Sequence, residues 1–364
     1  MKILHIHPAM RGGGIEAMIC ALANEMSKTN DVTVCSIFEP LSDDVFWNKL
    51  SISVHKVSLG KSKPGFSIIE IFKVYNLIKK NKYDVVHIHG MFFYYAFSVF
   101  LLRRKHNFFY TIHSDAVMEN SGWDKKFFPI KKYCFRHGLV YPITISDTSK
   151  KSFENLYHCS STLIYNGVVR PQIVDKNCVD EYRVTSSTML FIHAGRIDTP
   201  KNQVTLCKVF KRLINEGYDV CLLIAGSKQK EQIFKQLEMF FCDRIVYLGE
   251  RSDIPQLMSQ CLAMCLPSIW EGLPVTLLEA FSVGCIPICS PVGGIPDVIK
   301  DGENGFLSAS CEEEDYYSTM KRFLSLSKDE ISLLQQKCKK SFEIFDIQKT
   351  SKSYLELYKS KVGM

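Results

Sequence analysis

At 364 residues the chain is too long for one hydrophobic core and fits two domains of roughly 150–200 residues each. Its composition, 46% hydrophobic and 23% charged, is that of an ordinary globular protein and excludes a disordered or low-complexity chain. The net charge of +7 is uneven: residues 1–165 hold 21 basic and 13 acidic side chains, residues 166–364 hold 24 and 25, so the first half favours an anionic partner such as a lipid headgroup surface or a lipid diphosphate.

The first element reads as a strand, Lys2–His7, broken by histidines and followed by Arg11-Gly12-Gly13-Gly14; it is not a signal peptide. Ile15, Met18, Ile19, Leu22, Ala23 and Met26 then recur at helical spacing. Further strands are expected at Val32–Ile37, Val54–Val57, Val85–His89, Phe108–His113 and Ile143–Ile145. The apolar run Met91–Leu102, followed by Arg103-Arg104-Lys105, is shorter than the ~20 residues a membrane span needs. It reads as a core helix, with an interfacial contact as the alternative. Asn166-Gly167 and Pro171 break the pattern and place a linker at Asn166–Asn177.

A second series of strands follows at Met189–Ala194, Val220–Ala225, Ile245–Leu248, Ala263–Leu266, Pro287–Cys289 and Gly305–Leu307. The acidic run Glu312–Asp315 reads as a solvated helix start, and Ile347–Lys361 as a helix long enough to cross back onto the first domain. Alternation of strands with helices end to end is the mark of parallel α/β architecture. The fourteen cysteines include no CxxC pair, and many lie in apolar runs, which points to buried free thiols in a reducing cytoplasm.

Four segments carry chemistry. Gly12-Gly13-Gly14-Ile15-Glu16 joins the first strand to the first helix, where missing side chains let a ligand reach backbone N–H groups; a plain tight turn is the alternative. It is not GxGxxG, and no acidic residue closes a second strand as a dinucleotide site requires. Gly195-Arg196-Ile197-Asp198-Thr199-Pro200-Lys201-Asn202 puts two cations five residues apart between a strand and a helix expected from Gln203 to Leu213, suited to phosphate oxygens. Trp270-Glu271-Gly272-Leu273-Pro274 leads into a helix from Val275 to Phe281, with Pro274 expected at its first position, Glu271 ahead of it and Glu279 about a turn inside. Free N–H groups at such a start seat a phosphate or sugar oxygens. Gly293-Gly294-Ile295-Pro296-Asp297 could add backbone donors near a phosphate.

His87 and His89 share one face of a strand; with no third ligand at suitable spacing, packed strand-end histidines are favoured over a metal pair. His113 ends another strand at the same edge, where it could meet a sugar hydroxyl. Without a persuasive DxD motif, protein cations rather than a metal are expected to neutralise the phosphates, and no nucleic-acid signature accompanies the basic clusters.

In order and spacing, GGGIE, DVVHIHG, TIHS, HAGRIDTPKN, LLIAG, VYLGERSDIPQLM, SIWEGLPVTLLEA and SPVGGIPDVIKDGENGF resemble the GT-B glycosyltransferases of family 4 across nearly the whole chain. The resemblance implies two facing Rossmann-like domains with a cleft between them. Residues 1–168 would bind acceptor, 169–345 would bind the nucleotide-sugar donor, and 346–364 would form a C-terminal helix packed on the first domain. It implies a retaining, metal-independent transfer with no cofactor beyond the donor, most simply a UDP-sugar carrying a hexosyl or N-acetylhexosaminyl group. The acceptor would be a saccharide or lipid-linked saccharide in surface-polysaccharide synthesis, met by a cytoplasmic protein peripheral to the inner membrane face.

Carried over by position, Arg196 and Lys201 would bind the diphosphate, Glu271 the sugar hydroxyls, and Gly272, Leu273 and Pro274 the sugar or phosphate. Glu279 would bind the ribose and Gly249, Glu250 and Arg251 would lie against the base. Gly13 and Gly14 would border diphosphate and acceptor, with Glu16 and His113 on the acceptor side and His113 also near the reacting carbon. Asn202 departs from the Lys-Gly of many members, which should stiffen the turn while keeping the cation. A sugar-nucleotide 2-epimerase and a non-catalytic nucleotide-sugar-binding subunit are the rival readings; a dehydrogenase lacks its fingerprint.

Overall fold

The computed structural model describes residues 1–42, 44–174 and 177–363. Asp175 and Lys176 of the expected linker, and Met364, lie outside the described residues. The chain divides into two compact units, Met1–Val169 with Asp346–Met364, and Arg170–Phe345.

The first unit is a seven-stranded parallel sheet of β1 (Lys2–His7), β2 (Asp31–Phe38), β3 (Val54–Lys61), β4 (Val85–Ile88), β5 (Asn107–Ile112), β6 (Tyr141–Thr144) and β7 (Thr162–Leu163), in the order β3-β2-β1-β4-β5-β6-β7. β7 escapes sequence reading because its two residues, Thr162 and Leu163, bring one apolar side chain and no apolar run. The second unit has six parallel strands, β8 (Met189–Ala194), β9 (Val220–Ala225), β10 (Ile245–Gly249), β11 (Ala263–Leu266), β12 (Ile286–Cys289) and β13 (Phe306–Leu307), in the order β10-β9-β8-β11-β12-β13. Strand order reverses at β1/β4 and at β8/β11, and open parallel sheets bind ligands at such points beyond their carboxyl ends.

Eight helices matter below: α1 (Gly14–Met26), α2 (Ile68–Asn81), α3 (Ala96–Leu102), α4 (Gly122–Lys126), α5 (Phe128–Arg136), α6 (Gln203–Asn215), α7 (Val275–Val283) and α8 (Ile347–Val362). The β1–β7 sheet is covered on both faces. Leu4, Ile6 and Val86 join one apolar layer with Phe92, Tyr110 and Phe135, while Ile3, Val34 and Val85 join the other with α1 and α8. This double burial explains why the strands read as apolar runs rather than as alternation. Of the six apolar positions expected to bury on α1, Ile15 is exposed and the other five are buried.

The terminal helix docks on the first unit through Tyr354 and Tyr358, both fully buried, and its entry is fixed where Ile347 N–H donates to the Val168 carbonyl. Gly167 has a packing role besides breaking the pattern: a Cβ there would lie 2.5 Å from Thr350 Oγ1 and 3.0 Å from the Ile347 Cα. All fourteen cysteines are free thiols, ten of them buried.

Candidate functional site

The carboxyl edge of the second sheet gathers the charged motif residues. Gly195 follows β8, and its chain passes so close to the end of β9 that a Cβ on Gly226 would sit 1.9 Å from the Gly195 carbonyl oxygen. Arg196 leaves this crossing exposed, with no hydrogen bond or ion pair to its guanidinium among the described residues. Its backbone is held instead: Gln203 Nε2 donates to the Arg196 carbonyl at 2.7 Å. His193 orients Gln203. It donates from Nδ1 to the Cys265 carbonyl at 2.9 Å, leaving Nε2 as the acceptor for the Gln203 amide at 3.1 Å. Burial keeps that imidazole neutral, with its pKa lowered to about 4.

Lys201 ends a short 3-10 turn, Thr199–Lys201, and its Nζ lies 2.5 Å from Glu271 Oε1. Ser268 Oγ donates to the same oxygen at 2.7 Å. The two side chains are only 18% and 10% exposed, so solvent screens this pair weakly. Asn202 takes the left-handed conformation, φ 55°, which explains glycine's suitability there; asparagine is among the residues that tolerate it. Its Oδ1 accepts from Thr205 Oγ1 at 2.8 Å, which fixes the start of α6.

Glu271 is buried and Gly272 and Leu273 follow it into α7. Pro274 is the N-cap rather than the first helical residue: its ψ of 126° is extended, and its carbonyl accepts from Leu277 N–H. Glu279 is half-buried one turn inside α7 and carries an interaction of its own. Gly293 and Gly294 brace this loop. A Cβ on Gly293 would lie 2.0 Å from the Glu271 carbonyl oxygen, and Gly294 N–H donates to the Gly272 carbonyl at 2.6 Å. The Gly294 donor that could have faced a phosphate is thus taken up by the Gly272 carbonyl, next to Glu271. At the end of β10, Gly249 accepts from Gly226 N–H, Glu250 is exposed, and Arg251 is paired bidentately with Asp253 at 2.9 and 2.7 Å.

The first sheet's edge is built from imidazoles. His113, just past β5, bonds through Nε2 to His89 Nδ1 at 2.9 Å, and His89 Nε2 bonds to His5 Nδ1 at 3.1 Å. His7 donates from Nδ1 to the His89 carbonyl, and its Nε2 lies 3.5 Å from Glu16 Oε1. The Gly13 N-cap is extended, and a Cβ there would meet only the movable Glu16 carboxylate. Gly14 opens α1 behind it. Burial lowers the pKa of His113 and His5 to about 3 and that of His87 and His89 well below the usual range, so all four are neutral.

Parallel pairing across β1 and β4 also supplies what spacing did not: His5, His87 and His89 have ligand atoms within 4.8 Å of one another. Both nitrogens of His89 are hydrogen-bonded, and those of His87 meet Tyr358 OH at 2.5 Å and Thr111 Oγ1 at 2.7 Å. These bonds favour packed histidines, since a cation would have to displace them.

Two family models divide the chain between them: glycosyltransferase family 4 matches residues 12–170, and glycosyl transferases group 1 matches residues 180–340. The chain belongs to the group 1, family 4 glycosyltransferases. The chain is 30% identical over 41% of its length to the N-acetyl-alpha-D-glucosaminyl L-malate synthase of Bacillus anthracis. It is 28% identical over 47% to the UDP-Gal:alpha-D-GlcNAc-diphosphoundecaprenol alpha-1,3-galactosyltransferase of Escherichia coli. These matches span 39% and 46% of those two relatives. A Campylobacter jejuni enzyme, named as an alpha-1,4-N-acetyl-D-galactosaminyltransferase acting on a diNAcBac-PP-undecaprenol-linked saccharide, is 24% identical over 96% of both chains. Among solved structures, Anabaena HepE in complex with UDP-glucose superposes with a TM-score of 0.80 at 18% identity, covering 99% of this chain and 100% of that one. The fold is therefore GT-B.

For this glycosyltransferase, sequence reading named the charged residues and missed those that hold them: Ser268, His193, Gln203 and Gly226. His193, Gly226 and Ser268 stood in the motifs HAGRIDTPKN, LLIAG and SIWEGLPVTLLEA, but a strand histidine, a strand-end glycine and a loop serine carry no mark of what they touch.

Proposed function

We propose that the chain transfers a hexosyl or N-acetylhexosaminyl group from a UDP-sugar to a lipid-linked saccharide during surface-polysaccharide synthesis, with retention of configuration and without a metal ion. Residues 169–345 bind the donor and residues 1–168 the acceptor. The observation that carries this reading is the shielded Lys201–Glu271 pair beside an exposed Arg196 and the start of α7. A diphosphate arriving there offers Lys201 a stronger anionic partner than Glu271, and Arg196 a planar grip. Glu271, released from Lys201 and still steered by Ser268, then accepts hydrogen bonds from donor-sugar hydroxyls. The α7 amides at Leu273 and beyond add partial positive charge, Glu279 takes the ribose, and the Gly249–Arg251 segment lies against the base.

The bond between the sugar's anomeric carbon and the β-phosphate oxygen breaks as the acceptor hydroxyl forms its bond on the same face. The hydroxyl proton passes to the departing phosphate oxygen. Arg196 and Lys201 stabilise the charge growing on that phosphate, and neutral His113 offers the sugar a hydrogen bond without a repelling charge. Gly13 and Gly14 border the acceptor with Glu16. The names of the Escherichia coli and Campylobacter relatives support a lipid-diphosphate acceptor, and the basic first half of the chain agrees with it.

The test is a thermal-shift panel of nucleotide sugars, followed by turnover of the best binder with and without an undecaprenyl-diphosphate saccharide. Sugar transfer with retained anomeric configuration in the presence of chelator is expected. A shift by no nucleotide sugar, or conversion of the donor to its epimer without acceptor, overturns the assignment.

A further inference from the structure

Between residues 61 and 137 the first unit presents a surface unlike the rest of the molecule. Ile68 and Ile69 at the start of α2 are 60% and 61% exposed, and Phe72 one turn later is also exposed. Ring contacts join this patch across helices: Phe97 of α3 meets Phe72 at 5.6 Å and Tyr75 at 5.3 Å, while Phe100 stacks on Tyr133 of α5 at 6.2 Å. Phe66, just ahead of α2, meets Trp123 of α4 at 4.8 Å. Leu101 adds a further exposed apolar side chain. Scattered exposed hydrophobics are ordinary, but exposed aromatic and aliphatic groups clustered on neighbouring helices of one segment mark an interaction surface.

Its charge is one-signed. Of the fourteen Lys and Arg in residues 61–137, eleven are exposed, whereas none of the five Asp and Glu is. Several of these cations attach to the patch itself. Lys126 Nζ lies 4.2 Å from the Trp123 ring centre, Lys79 Nζ 5.4 Å from that of Tyr75, and Arg103 donates to the Phe100 carbonyl at 2.6 Å. Aromatic and aliphatic side chains rimmed by cations, with aromatic rings that carry a polar edge, suit the boundary between lipid headgroups and acyl chains. A symmetric contact with a second copy would set two cationic rims against each other, which disfavours that occupant. No helix among the described residues is long and apolar enough to cross a membrane, so this face would rest on the surface rather than span it.

We propose that the face formed by α2, α3, α4 and α5 of the first unit seats on an anionic phospholipid surface, with Ile68, Ile69, Phe72, Phe100, Leu101 and Trp123 entering the headgroup boundary. This inference needs no sugar nucleotide and stands apart from the transfer reading. The test is co-sedimentation of the full chain with phosphatidylcholine vesicles made with and without phosphatidylglycerol, at low and high salt. Two variants accompany it, Ile69→Ser/Phe72→Ser/Leu101→Ser and Arg104→Glu/Lys125→Glu/Lys126→Glu, each checked for an unchanged melting temperature and donor thermal shift. Binding to phosphatidylglycerol vesicles that weakens with salt is expected, with at least a tenfold lower partition coefficient for both variants. Wild-type protein that stays in the supernatant, folded variants that sediment like wild type, or a dimer dissolved by the serine variant would overturn the proposal.

Discussion

The two sheets reverse strand order at the same place and deliver a glycine-bearing turn there, but their carboxyl edges carry different chemistry. In the second unit the edge holds the exposed Arg196, a shielded Lys201–Glu271 pair and a helix start, with glycines that let backbone press against backbone. In the first, three neutral imidazoles, His5, His89 and His113, pass hydrogen bonds between three strands, and Gly13 packs only against a movable carboxylate. Under the proposed function, the second unit's edge would hold a doubly charged diphosphate. The other can offer hydrogen bonds without adding charge, which suits hydroxyl groups.

Acid should separate the two units most strongly. A histidine whose folded pKa is depressed stabilises the fold above its unfolded value of about 6.5, and that stability is lost as pH falls toward the folded value. His5, His87, His89 and His113 all lie in the first unit, and only His193 is so shifted in the second. From pH 6.5 to 5 the loss is on the order of 2 kcal/mol for each independent imidazole. Glu119, also in the first unit and raised to about 7 by burial, works the other way and offsets part of it. Hydrogen exchange, corrected for intrinsic rates, should show β4 and β5 losing protection between pH 7 and 5 before β9 and β11 do. Equal loss would remove the contrast.

Arg196→Ala should lower kcat by about 10²–10³, roughly 2.7–4 kcal/mol of transition-state stabilisation, with a smaller change in donor affinity. Glu271→Ala should impair turnover while leaving UDP affinity nearer wild type, because it is assigned to the sugar. Near-wild-type turnover in both would sink the role given to this edge.

The glycines should differ in a graded way. Gly226→Ala and Gly293→Ala force a methyl group within 1.9 and 2.0 Å of a backbone oxygen at positive φ, and each should cost at least about 2 kcal/mol in urea unfolding. Gly13→Ala, at an extended backbone where only Glu16 must move, should cost under about 1 kcal/mol. Between these lies Tyr358→Phe, which removes the partner of His87 Nδ1 and should destabilise the first unit by about 1–2 kcal/mol without altering donor binding.

Much of this was legible in the sequence for particular reasons. Most strands are buried on both faces and read as apolar runs, so twelve of the thirteen described were visible; β7, with Leu163 as its one apolar residue, offers no such run. Arg196 and Lys201 were visible because they stand five residues apart between a strand and a helix, and Glu271 because it lies just ahead of a helix start. Pro274 was misplaced by one position, since a proline's fixed φ suits both the N-cap and the first helical turn. Gly293-Gly294 left donors near a phosphate open as a reading, because sequence cannot say that the Gly272 carbonyl already takes one of those N–H groups.

The sequence by itself determined the alternating α/β architecture, the family, and the residue types available for gripping phosphates, because these follow from local periodicity and from motifs contiguous in the chain. Only the tertiary structure decided which side chains hold those residues. His5, His89 and His113 come from strands far apart in sequence and meet because β1, β4 and β5 are neighbours in register. Lys201 and Glu271, seventy residues apart, meet because β8 and β11 lie side by side and end at one edge. Contact across a sheet depends on strand order and register, and neither is written in the spacing of residues along one strand.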